Sequence, residues 1–178
     1  MKKPAFSLLQ TALLALLGLL SIYFHLAPLQ LSAGAAVLPD LLLIIVVLWT
    51  VRAPQNAPLL LIALLFLLGD LMLQRPVGLW ALISLLIVEV IGDRRTALRN
   101  RPFVAEWLTF SLALAIGLML HALLLKLALV QRPEGLLALR YFIVTVAAYP
   151  VMAALLHYVF RVRSPKPVER SSRLGRVA

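Results

Sequence analysis

Residues 39–52 read PDLLLIIVVLWTVR, a run that opens on Pro39-Asp40, closes on Arg52 and carries no charge in between. From Leu43 to Leu48 it has no polar side chain at all. A helix from Pro39 to Val51 would be about 20 Å long, short of a hydrocarbon layer of about 30 Å. The helix is therefore expected to begin earlier, near 34–36, with Pro39 as a local kink and Asp40 a short way below the outer surface. Backbone groups freed at such a kink must be satisfied by neighbours.

The same chemistry continues outward from this stretch. Of the 178 residues, 63% are hydrophobic, where a globular domain carries roughly 45–50%. A chain of this size could not hide so many apolar side chains from water, so lipid is the expected solvent. Six runs approach spanning length, at 6–26, 36–51, 57–73, 77–91, 104–130 and 136–160. The breaks at 52–56, 74–76, 92–102 and 131–135 each hold Pro, Gly or charge. The uncharged connection 27–35, with Pro28 and Gly34, is expected on the outer surface. The predicted fold is an all-α integral membrane protein, six transmembrane helices over 1–160. A basic tail, 161–178, is too polar and short to fold alone and is expected to be cytoplasmic and disordered. That tail fixes orientation, or is drawn to anionic lipid or a cytoplasmic protein.

Orientation follows from the cations, because short cytoplasmic loops are enriched in Lys and Arg. With both termini inside, thirteen of the 17 basic residues fall on the inner side, including Arg52, Arg94, Arg95, Arg99 and Arg101. Arg75, Lys126, Arg132 and Arg140 fall outside. Trp49 and Trp107 are then expected at the inner interface and Trp80 at the outer one, as an aromatic belt predicts. The net charge of +10 sits at the ends of apolar runs rather than on one face, which reads as topology and not as nucleic-acid binding. With no Cys there is no disulfide frame, thiolate metal site or cysteine nucleophile. Lys2-Lys3 and Ala33-Gly34-Ala35 have the form of a signal peptide, but more than twenty residues separate them, against an apolar core of about 7–15. An uncleaved first span is expected.

Charged groups inside a membrane are functional candidates by default, so their depth decides what chemistry is open. His25, Asp40, Asp70, Arg75, Lys126 and Arg140 fall toward the outer rim, and Glu89, Asp93, Glu106 and His157 toward the inner one. The middle layer is empty of charge, which leaves no ladder of titratable groups for a pump. Asp70 and Glu89 differ in depth by roughly 20 Å and cannot act as a pair. The sequence has no H-x-x-x-H, D-x-x-D or nucleophile elbow, so no enzyme, catalytic residue, metal or cofactor is expected. Arg75 or Arg140 is the expected partner of Asp40 and Asp70, because a buried carboxylate without a cation would take up a proton. Gly69 and Gly78 flank the turn Gln74-Arg75-Pro76, where Gly permits close backbone approach. His121 is expected to pack and Lys126 to snorkel. Ala113-x-x-x-Gly117 permits close helix approach, and Pro150 should kink the last span.

Pro39-Asp40-Leu41-Leu42-Leu43 running into Trp49 and Arg52, followed by Gly69-Asp70-Leu71-Met72 and Arg75-Pro76-Val77-Gly78-Leu79, resembles the MreD family of the bacterial rod-shape system. The resemblance covers the second to fourth spans. In that pattern a Pro opens the second span, a Gly-Asp lies near the end of the third and a Gly follows; Pro39, Gly69, Asp70 and Gly78 occupy those places. It implies a multi-pass inner-membrane protein without catalysis. MreC would be its direct partner, with MreB, the glycosyltransferase RodA and a class B penicillin-binding transpeptidase in the wider elongasome. Outer-rim residues Asp40, Asp70 and Arg75 would fix the second and third spans and leave an apolar groove for the transmembrane helix of MreC. It also implies a bundle like the S components of vitamin transporters, so a substrate-binding subunit of a small-solute transporter is the alternative. Those subunits dock through Ala-x-x-x-Ala in the first span, where this chain has Thr11-x-x-x-Ala15.

Overall fold

A computed structural model describes residues 8–26, 37–99, 101–128 and 135–158. Among them are seven α-helices, a single 3₁₀ turn and no strand. The helices are α1 (Leu8–Leu26), α2 (Leu41–Arg52), α3 (Leu59–Met72), α4 (Leu79–Asp93), α5 (Arg95–Arg99), α6 (Phe103–Leu127) and α7 (Gly135–Tyr158). All but the short α5 lie within about three residues of an expected apolar run, apart from the start of α2. Prolines set several boundaries: Pro54 follows α2, and Pro58 and Pro102 stand as the residues before α3 and α6, where the missing N–H is harmless. The tail 161–178 and the connection 27–35 lie outside the described residues.

α2 is the axis of the bundle. Its residues Leu42 to Val51 are all buried, and α1, α4 and α7 pack against it. α3 lies against α1 and α4, and α6 against α4 and α7. The outer helices turn apolar faces away from the core; on α6 these are Leu108, Leu112, Ile116, Met119, Leu123 and Leu127, recurring every three or four residues. α1, α6 and residues 135–156 of α7 are long and apolar enough to cross a membrane. α2, α3 and α4, with 12, 14 and 15 residues, are shorter. At Gly117 α6 packs closely on α4: a Cβ there would stand 2.7 Å from Ile87 Cδ1. The expected small-residue approach is thus made on this helix.

The start of α2 differs from expectation. Val37 to Asp40 is not helical, and the helix begins at Leu41 with Asp40 as its N-cap. Asp40 has φ −73° and ψ 81°, and the Leu41 N–H meets the Pro39 carbonyl at 2.8 Å, the geometry of an inverse γ-turn. Pro39 therefore stands before the helix and does not kink it. The expectation of a longer helix assumed that α2 faces lipid. A helix enclosed by protein can begin at depth, because its irregular backbone is covered by neighbours.

Trp49 and Trp80 also depart from the belt. Trp49 is 0% exposed and Trp80 6%, so both face the bundle interior. α2 is apolar all round and its sequence carries no signal for which way Trp49 points.

Candidate functional site

The connection between α3 and α4 brings most of the predicted residues together. Asp70, in the last turn of α3, is 1% exposed. Its Oδ2 accepts the backbone N–H groups of Gly78 and Ala81, each at 3.0 Å. These are among the orphan donors of the first turn of α4, whose N-cap is Gly78 at φ +84°. Glycine is required at this left-handed position, but it has no side chain to cap with. Asp70 supplies the missing acceptor from the neighbouring helix, and its charge complements the positive end of α4. Gly69 has no such role in the turn: a Cβ there would meet Leu42 Cδ2 at an ordinary 3.6 Å.

Asp40 does the same for α2 and then reaches further. Its Oδ1 accepts the Leu43 N–H at 3.0 Å. Its Oδ2 accepts the Trp80 indole N–H at 2.9 Å and the Tyr141 hydroxyl at 2.5 Å. Its own backbone N–H donates to Thr145 Oγ1 at 3.1 Å. One carboxylate thereby joins α2 to α4 and α7. The expected cation partners are not used: the ion pair among the described residues lies at the other end, and Arg140 is exposed. Fixed N–H and O–H donors meet both oxygens of Asp40, and the N-terminus of α4 meets Oδ2 of Asp70, whose Oδ1 is buried without a hydrogen-bond partner among the described residues. The rim accordingly fixes α3 to α4 and α2 to α4 and α7, rather than the second span to the third.

Arg75 is half-buried and borders two cavities. One, of about 20 Å³, is lined by Ser21, His25, Asp40, Asp70 and Arg75 among others. The second is about 570 Å³ and lies between α4, α6 and α7. Arg75, Trp80, His121 and Tyr141 give it a polar side; Leu118, Ala122, Leu125, Leu137 and Ala138 give it an apolar one. His121 packs edge-on against Trp80 with centroids 5.3 Å apart. Arg75 and Tyr141 line the same cavity.

The opposite end of the bundle holds a cluster that sequence reasoning did not assemble. Arg52 Nη1 donates to Glu106 Oε1 at 3.0 Å, and the Tyr149 hydroxyl donates to the same oxygen at 2.7 Å. Phe110 stacks on Tyr149 with centroids 4.4 Å apart. This joins the end of α2 to the start of α6 and to α7. Nearby, Gln10 and Thr11 of α1 bond to Asn56. α1 thus starts at this end and, through Ser21 and His25, finishes at the Asp70 end. The six longer helices therefore alternate in direction. The paired depths of Arg52 and Glu106 were the available signal for the cluster. Glu89 and Asp93 are exposed and join neither.

Comparison of the chain with protein-family models, curated proteins and solved structures gives no match.

Proposed function

We propose that this chain is a non-enzymatic, six-span scaffold of the bacterial inner membrane that binds MreC directly and supports the elongasome in cell-shape maintenance and lateral peptidoglycan synthesis. The observation that carries this reading is the employment of the buried carboxylates. Asp40, Asp70 and Glu106 each hold two or more helices together through bonds to protein donors. A bundle whose buried acids are occupied in this way offers partners its outer faces. Most of the residues that carry the MreD resemblance, Trp49, Arg52 and Gly69 apart, fall in one construction: Pro39 and Asp40 start α2, Asp70 and Gly78 start α4, and Arg75 lies in the turn between α3 and α4. The exposed Arg94, Arg95 and Arg101 cluster by the Arg52 end, which orients that end to the cytoplasm under the positive-inside rule. The short α2 fits a crossing because the non-helical backbone at 37–40 is largely covered by protein and can lie at depth.

The test is isolation of the tagged protein in mild detergent with identification of its companions. MreC is expected, with MreB, RodA and the class B transpeptidase behind it. An ATP-driven coupling subunit recovered in place of MreC overturns the scaffold. One observation favours the second reading, a solute-binding subunit: the large cavity lies at the end expected to face outward. That reading predicts a water-soluble molecule retained through purification and identified by mass spectrometry.

A further inference from the structure

The cavity between α4, α6 and α7 has a chemistry of its own. Its volume, about 570 Å³, is in the range of small-molecule sites, roughly 300–1,000 Å³. Its walls divide in two. Leu118, Ala122, Leu125, Leu137 and Ala138 form an apolar trough along the facing sides of α6 and α7, and Arg75 and His121 stand with Trp80 and Tyr141 at the α4 side. Two of the four polar groups are already committed, since the Trp80 indole and the Tyr141 hydroxyl donate to Asp40. Arg75 is different. It borders both this cavity and the smaller one. It has no carboxylate within ion-pair distance among the described residues.

Asp40 and Asp70 would repel an anion if their charge were bare. Neither carboxylate lines this cavity, however, and each accepts backbone N–H at a helix N-terminus through one oxygen, where the helix contributes about half a positive charge. Among the residues that line the cavity, Arg75 carries the guanidinium, and no such arrangement offsets its charge. We infer that the cavity binds an amphipathic organic anion, its carboxylate or phosphate head on Arg75 beside His121 and its apolar body in the trough of α6 and α7. The inference goes beyond the scaffold reading and does not depend on it, because a bundle can hold MreC with this cavity filled or empty.

Native mass spectrometry of the full chain in detergent tests it with dodecanoate and, at equal concentration, dodecanol. Dodecanoate should be retained about tenfold better, the margin of one charge-assisted hydrogen bond. Arg75→Gln should erase that preference, and Ala122→Phe, which fills the trough without touching the head group, should abolish retention of both. A melting curve for each variant separates lost binding from lost fold, and Ala122→Phe keeps the test decisive if Arg75→Gln does not fold. Equal retention of acid and alcohol, or dodecanoate retention unchanged in Ala122→Phe, overturns the inference. So does preferential retention of dodecyltrimethylammonium. Two further arms identify the source: competition by benzoate marks a soluble organic acid, and co-purification of phosphatidylglycerol from lipid nanodiscs marks a membrane lipid. Loss of MreC from the detergent isolate leaves all these outcomes unmoved, so the two proposals fail separately.

Discussion

The two ends of the bundle solve one problem in different ways. At the Asp40 and Asp70 end, buried carboxylates are met by backbone N–H groups, an indole and a phenol. At the Arg52 and Glu106 end the carboxylate is met by a guanidinium and a phenol, with the two charged side chains 14% and 11% exposed. Donors belonging to a helix terminus come with the helix and lose little freedom when they bind. An arginine must be ordered and desolvated before its attraction counts. The first end is therefore the more rigid joint, and it ties the short α2, α3 and α4 to one another and to the longer α7.

The largest effect is expected from emptying that joint. Asp40→Leu leaves Leu43 N–H, the Trp80 indole and the Tyr141 hydroxyl without their acceptor, and should lower stability by about 3 kcal/mol. Interhelical bonds in membrane proteins run at the low end, about 0.6 kcal/mol on average, but here three donors are orphaned together. Asp70→Leu should cost about 2 kcal/mol for the two N–H groups of α4, and Asp70→Asn, which keeps an acceptor, about half of that. Thermal unfolding in a fixed detergent reads all three. If Asp70→Leu melts with the wild type, the capping of α4 from α3 is not what holds this end.

The opposite end should give less. Glu106→Gln retains an acceptor for Tyr149 and loses the ion pair, for about 1–2 kcal/mol after allowance for partial exposure. A double-mutant cycle of Glu106→Gln with Arg52→Met checks the coupling, and zero coupling would make the contact incidental. Gly78→Ala is comparable, about 1–2 kcal/mol, from the left-handed backbone alone. It should be additive with Glu106→Gln, since the two sites lie at opposite ends.

Much of this arrangement could be read from the chain, and the gaps have definite causes. The breaks between helices were legible because proline, glycine and charge concentrate in them. The gathering of Asp40, Asp70 and Arg75 at one end followed from depth alone. Depth is a coordinate along the helix, however, and partners are chosen around it. Arg52 and Glu106 were given the same depth, yet their pairing depends on the faces of α2 and α6 that meet, which helices apolar on every side do not declare. Trp49 failed as a belt residue for the same reason. At Pro39-Asp40 a kink and a cap draw on the same two residue types; the choice turned on whether the carboxylate reaches Leu43, a contact only three residues away but invisible in composition. The assignment of cations to the aspartates overlooked the N–H groups that every helix start brings with it.

The smallest effect tests whether α6 and α7 are joined by a deliberate vacancy in the helix ladder. Pro150 lies inside α7 and has no N–H to give to the carbonyl four residues back, that of Val146. That carbonyl instead accepts the Trp107 indole N–H at 2.9 Å, so the lost bond within one helix becomes a bond between two. Trp107→Phe keeps the ring and should cost about 0.6–1 kcal/mol, roughly one interhelical hydrogen bond. In a Pro150→Ala background the restored N–H at 150 competes for the same carbonyl. The cost of Trp107→Phe should then fall toward zero, a non-additivity that a melting-based cycle can read. An unchanged cost in that background would mean that Trp107 contributes by packing alone, and that proline and indole are neighbours without being partners.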